Sequence, residues 1–285
     1  MKTSTQLKAL IRNLAKEKSV QAEIILRNFM LERLLERISL SPFRDKFILK
    51  GGMLVAAMVG IDTRSTMDMD ATIRGIAFSE EALEEAMKAI LACHVDDGVS
   101  MMMKGFENIR DESVYPGIRV SIEAVFDKTR QVMKVDITTG DKITPQAVEY
   151  SFELLFENRS ISILAYNLET VLAEKFETIL SRSTTTTRMR DYYDAYILTT
   201  LRAQDINWDL FSVAFKNTAE KRGSYKRLLE TGHDNIGEIE RSQVLSELWK
   251  RYQLKNNYAA DLSWELAIAS VKELYIKAFG KDAVE

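Results

Sequence analysis

The chain has 285 residues and a mass of 32.6 kDa, beyond the usual single domain of about 100–200 residues, so one elaborated domain or two are expected. Hydrophobic residues at 46% and charged residues at 28% match a soluble globular protein with a real core and exclude intrinsic disorder. A net charge of −3 excludes a general basic coat for nucleic acid but leaves room for a local basic patch.

Residue usage narrows the chemistry. A single cysteine, Cys93, excludes an internal disulfide and a cysteine-built zinc site. The only histidines, His94 and His233, exclude a three-histidine metal site and leave few choices for a Ser-His-Asp triad. Any metal is expected on carboxylates, which suit Mg²⁺ or Mn²⁺. No signal-peptide h-region follows Met1, and the apolar run Met53–Ile61 is far shorter than the about 20 residues that span a bilayer. A soluble, cytoplasmic protein is expected.

Glycine and proline divide the chain. Pro42, Pro116, Pro145 and eight of the twelve glycines fall in the first 145 residues, and no glycine occurs between Asp141 and Arg222. The first part therefore reads as turn-rich and the second as long helices, with a boundary near residue 165. In chain order, Ser19–Ile38 has the apolar stripe of a helix (Ile24, Ile25, Phe29, Met30, Leu34, Ile38). Phe47–Leu49 reads as a short buried strand, Met53–Met58 as a helix and Thr66–Thr72 as an alternating strand. Glu80–Ala92 reads as a helix capped by Ser79. Met101–Ile109, Ile118–Phe126 and Val132–Thr138 read as strands. Ser183–Thr187 reads as a loop. Helices are expected over Leu168–Leu180, Met189–Leu201, Trp208–Ala219, Gln243–Tyr252 and Ser263–Phe279, the last stopped by Gly280. The expected fold is α/β: a mixed sheet flanked by helices over residues 1–165, then an all-α bundle over 166–285.

The chemistry gathers around Thr66-Met67-Asp68-Met69-Asp70-Ala71. On a strand, Asp68 and Asp70 share one face while Met67, Met69 and Ala71 face the core. Two adjacent carboxylates repel unless a cation joins them, which suits a divalent metal. A solvated strand face is the plainer alternative for this motif alone. Lys50-Gly51-Gly52 lies upstream, where a strand ends and a helix opens. Unpaired N–H groups there, approachable for want of Cβ atoms, suit a phosphate. Together the two motifs point to a nucleoside triphosphate and a metal. Asp136, in the alternating segment Lys134–Thr138, is a candidate third acid that deprotonates an attacking hydroxyl or shares a second metal. It reads equally well as an acid at a strand edge.

Lys175 falls on the apolar stripe Leu168, Val171, Leu172, Phe176, Ile179, Leu180. It either snorkels from the stripe's edge or meets an anion, and a phosphate reached across a domain cleft is the sharper reading. The helix from Met189 is apolar almost all round, so Arg190, Asp191 and Asp194 pair internally or line a cleft. Lys216, Lys221, Arg222, Lys226 and Arg227 face only Glu220 locally, a patch suited to RNA phosphates or simply a solvated helix face. His233 reads as part of a polar loop, and Cys93 as an unreactive thiol at a helix end.

With these residues assembled, the chain resembles the AbiEii/AbiGii toxin family of nucleotidyltransferases, the toxic halves of abortive-infection toxin–antitoxin pairs. The resemblance rests on five ordered motifs: Phe47–Gly52, Arg64–Asp70 with Thr66 inside it, Lys134–Asp141, Leu172–Glu177 and Arg188–Asp194. It implies Mg²⁺ and nucleotide phosphates on Asp68 and Asp70. It also implies that Lys175 and Asp191 match the family's lysine and aspartate. Lys50, Gly51, Gly52, Arg64, Thr66, Lys175 and Asp194 would line the nucleotide. An NTP donor (GTP favoured), an RNA acceptor (tRNA) and growth arrest follow from the same resemblance, as does a separate DNA-binding antitoxin that acts without stable direct contact. Many nucleotidyltransferases carry Gly-Ser where this chain has Gly51-Gly52, so backbone N–H groups must replace the serine hydroxyl. Family members often carry threonine where Met53 stands.

The expected enzyme is bilobal, with the helical domain completing the cleft and Asp136 or Asp191 as general base. Two rivals remain: a small-molecule nucleotidyltransferase of the antibiotic-modifying kind, and a non-catalytic nucleotide- or RNA-binding module.

Overall fold

The computed structural model describes residues 3–109 and 117–280; Pro116, read above as a turn marker, lies outside them. The chain divides into two compact units, one of Met1–Asp141 with Ala147–Tyr166, the other of Lys142–Gln146 with Asn167–Glu285.

The first unit runs α1 (Ser4–Lys18), α2 (Ala22–Leu40), β1 (Phe47–Lys50), α3 (Gly51–Val59), β2 (Met69–Ile73), α4 (Glu80–Leu91), β3 (Val99–Ile109), β4 (Gly117–Phe126), β5 (Thr129–Thr139), β6 (Val148–Glu153) and β7 (Ser160–Ala165). The strands form one seven-stranded sheet in the order β3-β4-β5-β2-β1-β7-β6. The pairs β1–β7 and β2–β5 are parallel and the rest antiparallel. It is the mixed sheet flanked by helices that the sequence led one to expect.

Alternation explains which face is which. On β4, Ile118, Val120, Ile122, Ala124 and Phe126 are buried, joined by Met133, Val135 and Ile137 of β5. The other face of the same strands carries Arg119, Ser121, Lys134 and Asp136, all at least partly exposed. One face belongs to the core and the other is polar, as a period of two requires.

The helix α2 buries five of its six predicted stripe residues, from Ile25 to Ile38, and only Ile24 is partly exposed. It begins at Ala22, because Ser19 adopts a left-handed conformation (φ 54°) that closes α1, with the Val20 N–H donating to the Ala15 carbonyl. Two of its buried charges are held by partners outside the helix: Arg37 donates to Asp97 at 2.7 Å and to the Val99 carbonyl at 2.6 Å, and Glu36 accepts from Arg159 at 2.6 Å.

The second unit holds α5 (Leu168–Arg182), α6 (Met189–Leu201), α7 (Trp208–Lys221), α8 (Tyr225–Arg241), α9 (Gln243–Lys255) and α10 (Trp264–Phe279). Asn167, Asn207, Ser242 and Ser263 cap α5, α7, α9 and α10 with side-chain oxygens. Ser183–Thr185 forms a short 3₁₀ turn where a loop was expected. The helix α8 corrects the sequence reading: His233 lies within it, not in a loop. Gly232 suggested a turn, yet it is there for space, since a Cβ would lie 3.1 Å from the Tyr275 ring.

Candidate functional site

The site of the first unit begins where β1 hands over to α3. Gly51 has φ +66°, a region open to glycine and costly for other residues. A Cβ on Gly51 would stand 2.0 Å from Asp70 Oδ2, and the Gly52 N–H donates to that same oxygen at 3.3 Å. The glycines therefore let the Asp70 carboxylate lie directly against the start of α3, where helical N–H groups lack internal partners. A Cβ on Gly52 would meet Thr66 Oγ1 at 2.8 Å and an Arg64 guanidinium nitrogen at 3.2 Å. The hydroxyl of Thr66 crowds the space that a serine side chain at position 52 would enter.

Strand register places the acids. Lys50 pairs with Asp70 across β1–β2, Asp70 with Asp136 across β2–β5, and Asp136 with Arg119 across β5–β4. Cα partners point to one face, so Lys50, Asp70, Asp136 and Arg119 form a row over four adjacent strands. Asp68 lies just before β2, and its charge is felt at Arg119. The strand starts at Met69 and not at Thr66, because the preceding segment is tied down locally. Asn28 of α2 donates to the Thr66 carbonyl at 2.8 Å, Thr66 Oγ1 donates to the Asp68 carbonyl at 3.3 Å, and buried Arg64 donates to the Ser65 carbonyl.

Three partners went unread in the sequence. Arg119 grips Asp136 with two parallel bonds, Nε to Oδ1 and Nη2 to Oδ2, both 2.7 Å. The hydrogen bond to Asp136 holds the Arg119 guanidinium yet more firmly protonated than usual. Asp141 takes the Lys50 ammonium at 2.6 Å, the Tyr166 hydroxyl at 2.8 Å and the Thr138 hydroxyl at 2.9 Å. Burial works to raise its pKa, but Lys50 and these donors together hold the Asp141 carboxyl below the usual carboxylate range. Asn28 is the third. A strand arginine opposite a strand aspartate is invisible without the register.

In the helical unit, Lys175 meets Asp194 at 2.6 Å and Asp191 at 3.0 Å, and Arg188 meets Asp191 at 2.9 Å. Asp191 and Asp194 are 2% and 0% exposed. Burial opposes ionisation of Asp191, but Lys175, Arg188 and Arg190 outweigh it and hold the carboxyl well below its ordinary value. The anion expected opposite Lys175 is thus present within its own unit. The basic patch is smaller than its sequence suggests: Arg222 lies against Glu177 at 2.5 Å and Glu174 at 3.3 Å. Lys221, Lys226 and Arg227 are exposed.

No group of three or more His, Cys, Asp or Glu side chains poised for a metal occurs among the described residues. The donor chemistry nonetheless fits magnesium, which takes one or two hard carboxylates and completes its shell with water and substrate phosphates. Asp68 and Asp70 are such donors. Among the described residues, no helix is long and apolar enough to cross a membrane.

Residues 33–270 match the family described as "Nucleotidyl transferase AbiEii toxin, Type IV TA system", and the chain belongs to that family. It is accordingly a nucleotidyltransferase of the type IV toxin class, with an antitoxin as its family's counterpart. No curated protein matches the chain. Solved structures similar to it include a protein from H. pylori described as a "putative nucleotidyltransferase", 13% identical, with TM-score 0.47 over 91% of this chain and 97% of that one. JHP933 from Helicobacter pylori is 14% identical, with TM-score 0.45 over 93% and 98%. An antigenic nucleotidyltransferase-like protein from Paracoccidioides brasiliensis is 14% identical, with TM-score 0.37 over 70% and 93%.

Proposed function

We propose that this toxin acts in the cytoplasm and transfers a nucleotide from an NTP, with GTP favoured, to an RNA acceptor of the tRNA class, so arresting growth. The observation that carries the reading is the placement of Asp70 against the Gly51-Gly52 start of α3. A metal-binding carboxylate and a phosphate-accepting helix end then share one spot. Asp68 and Asp70 would hold Mg²⁺, which when bound neutralises charge on the triphosphate and its leaving pyrophosphate. The Gly52 N–H, which donates to Asp70 in this structure, would turn to a phosphate oxygen once Asp70 holds the metal, forming a cradle with the N–H of Gly51. Lys50, neutralised by Asp141, fixes the end of β1 from which that cradle starts. Lys221, Lys226 and Arg227 are the exposed cations offered to RNA phosphates. The antitoxin is a separate DNA-binding protein that acts without stable contact.

The test is transfer of label from each of four α-³²P NTPs to total tRNA with Mg²⁺, comparing the native protein with Asp68→Ala. Labelled tRNA from the native protein alone, strongest with GTP, is expected. Equal labelling by Asp68→Ala would overturn the assignment of that residue. No labelling by either, with only the native protein toxic in cells, would redirect the search to another acceptor.

A further inference from the structure

Near its end, α9 turns a bare leucine to solvent. Leu254 is 85% exposed, more than any other large apolar side chain among the described residues. Arg251 and Lys255, three residues before it and one after, share its face of the helix and are exposed as well. Elsewhere on the surface a lysine meets an acid one turn away, as Lys88 meets Glu84 at 2.6 Å. Arg251 and Lys255 are like charges one turn apart, and neither has an ion-pair partner among the described residues. From Leu248 to Ala260 the chain carries three cations and no acid. A helix C-terminus favours cations, which accounts for Lys255 but not for the leucine or for the rings beside it.

Those rings are Tyr252 and Tyr258, both partly exposed, with their hydroxyls bonded at 2.9 Å. Each is backed by a buried ring: Trp249 stacks on Tyr252 with centroids 5.5 Å apart, and Tyr193 of α6 lies 4.9 Å from Tyr258. The turn after α9 is pinned too. Gln253 donates to the Ala259, Ala260 and Leu262 carbonyls at 3.1, 2.9 and 2.9 Å, and the Trp249 indole donates to Leu262 at 2.9 Å. Groups already fixed in place lose little freedom when a ligand arrives.

We propose that this end of α9 binds an unpaired stretch of RNA, with Arg251 and Lys255 on its phosphates and Tyr252, Tyr258 and Leu254 against its bases. A single strand offers phosphates to the cations and base faces to the rings together, whereas a duplex hides its base faces in the stack. The absence of acids on this face suits a polyanion. The inference rests on the reading of the acceptor as RNA, and it adds contact with bases to the cations Lys221, Lys226 and Arg227.

Fluorescence anisotropy of a labelled single-stranded RNA, titrated with the full chain at several salt concentrations, tests it. Arg251→Gln/Lys255→Gln is expected to bind about tenfold more weakly at low salt. Its plot of log affinity against log salt should be shallower by about 1.4, since each lost contact with a single-strand phosphate removes about 0.7. Tyr258→Leu is expected to lose about tenfold with the slope unchanged, and Tyr258→Phe, which keeps the ring, to stay within about twofold. Native affinity and slope in Arg251→Gln/Lys255→Gln, or equal binding of a duplex of the same sequence, overturns the inference and leaves the RNA acceptor standing. So does a Leu254→Ser variant that loses self-association while binding RNA as before, which assigns the face to a second copy of the chain. No RNA binding by the native protein removes the acceptor reading and the inference with it. The charge variants change only exposed side chains, so they decide the matter even if Tyr258→Leu fails to fold.

Discussion

Lys50 and Asp141 lie 91 positions apart in the chain, and their side chains meet at 2.6 Å. The pair ties the last residue of β1, where the glycine turn begins, to the segment following β5. Asp141 is 4% exposed and Lys50 13%, so each charge depends on the other for the solvation it has lost. Removing one partner of a buried pair costs about 3–5 kcal/mol, because the survivor stays buried and uncompensated. Asp141→Ala should therefore lower Tm by roughly 10 °C, and Asp141→Leu combined with Lys50→Met should recover much of that loss. The contribution exists only while Asp141 is ionised: its folded pKa is depressed, so the stabilisation is present above the ordinary carboxylate range and disappears as pH falls. Thermal melts of the native and double-variant proteins from pH 7 down to pH 3 should converge at the acid end.

Thr66 and Gly52 share a space that holds one side chain, not two. A Cβ at position 52 would lie 2.8 Å from Thr66 Oγ1, too close for either atom to stay. Gly52→Ser should thus push Thr66 aside and disturb the turn carrying Asp68, lowering NTP transfer by about 10–100-fold. Adding Thr66→Ala removes the nearest atom but leaves an Arg64 nitrogen at 3.2 Å and gives up the Thr66 bond to the Asp68 carbonyl, so the double variant should recover part of the lost transfer and stay below the native rate. A double variant no better than Gly52→Ser would show that the collision is not the cause. Gly51→Ala has no such rescue, since the backbone at φ +66° and the Asp70 carboxylate both stand against it.

Lys175 offers a different kind of test. It lies against Asp191 and Asp194, both almost wholly buried. Lys175→Met takes the ammonium from two buried carboxylates, Asp191 keeping Arg188 at 2.9 Å, and should cost about 3–5 kcal/mol in urea unfolding. Lys175→Met with Asp194→Asn should be more stable than Lys175→Met alone. If Lys175→Met unfolds at the native urea midpoint while losing transfer, the lysine serves the substrate more than the fold.

Periodicity made most of this architecture legible. The α5 stripe, the Ser79 cap and the alternation of β4 and β5 all follow from local pattern, because each element buries one face in the core of its own unit. What escaped was short, interrupted or long-range. The strands β6 and β7 are six residues each, with charged and serine residues breaking their apolar signal. The helix α8 carries two glycines that mimic a turn, though Gly232 answers only to the ring of Tyr275. The acids Asp68, Asp70 and Asp136 stand out in the sequence as candidates, whereas Arg119, Asp141 and Asn28 come into view only through partners that strand order and packing bring near.

Glu32 gives the last prediction, and its sign is unusual for a carboxylate. The side chain is 2% exposed, near Glu36 and Glu157 as well as Arg33, with the Leu155 N–H donating to both oxygens at 3.2 Å. Burial outweighs these favourable contacts and pushes its pKa up to about 8. Between its ordinary value of 4.5 and about 8, the folded protein holds a proton that the unfolded chain has released. Folded stability from this group is thus fully present below pH 4.5 and is lost as pH rises toward 8. Glu32→Gln keeps the shape and removes the titration. Urea midpoints at pH 5, 6, 7 and 8 should decline in the native protein more steeply than in Glu32→Gln, with the gap between the two widening toward pH 8. Parallel pH dependences in the two proteins would show that Glu32 is ionised in the folded state throughout, held so by Arg33 and the Leu155 N–H.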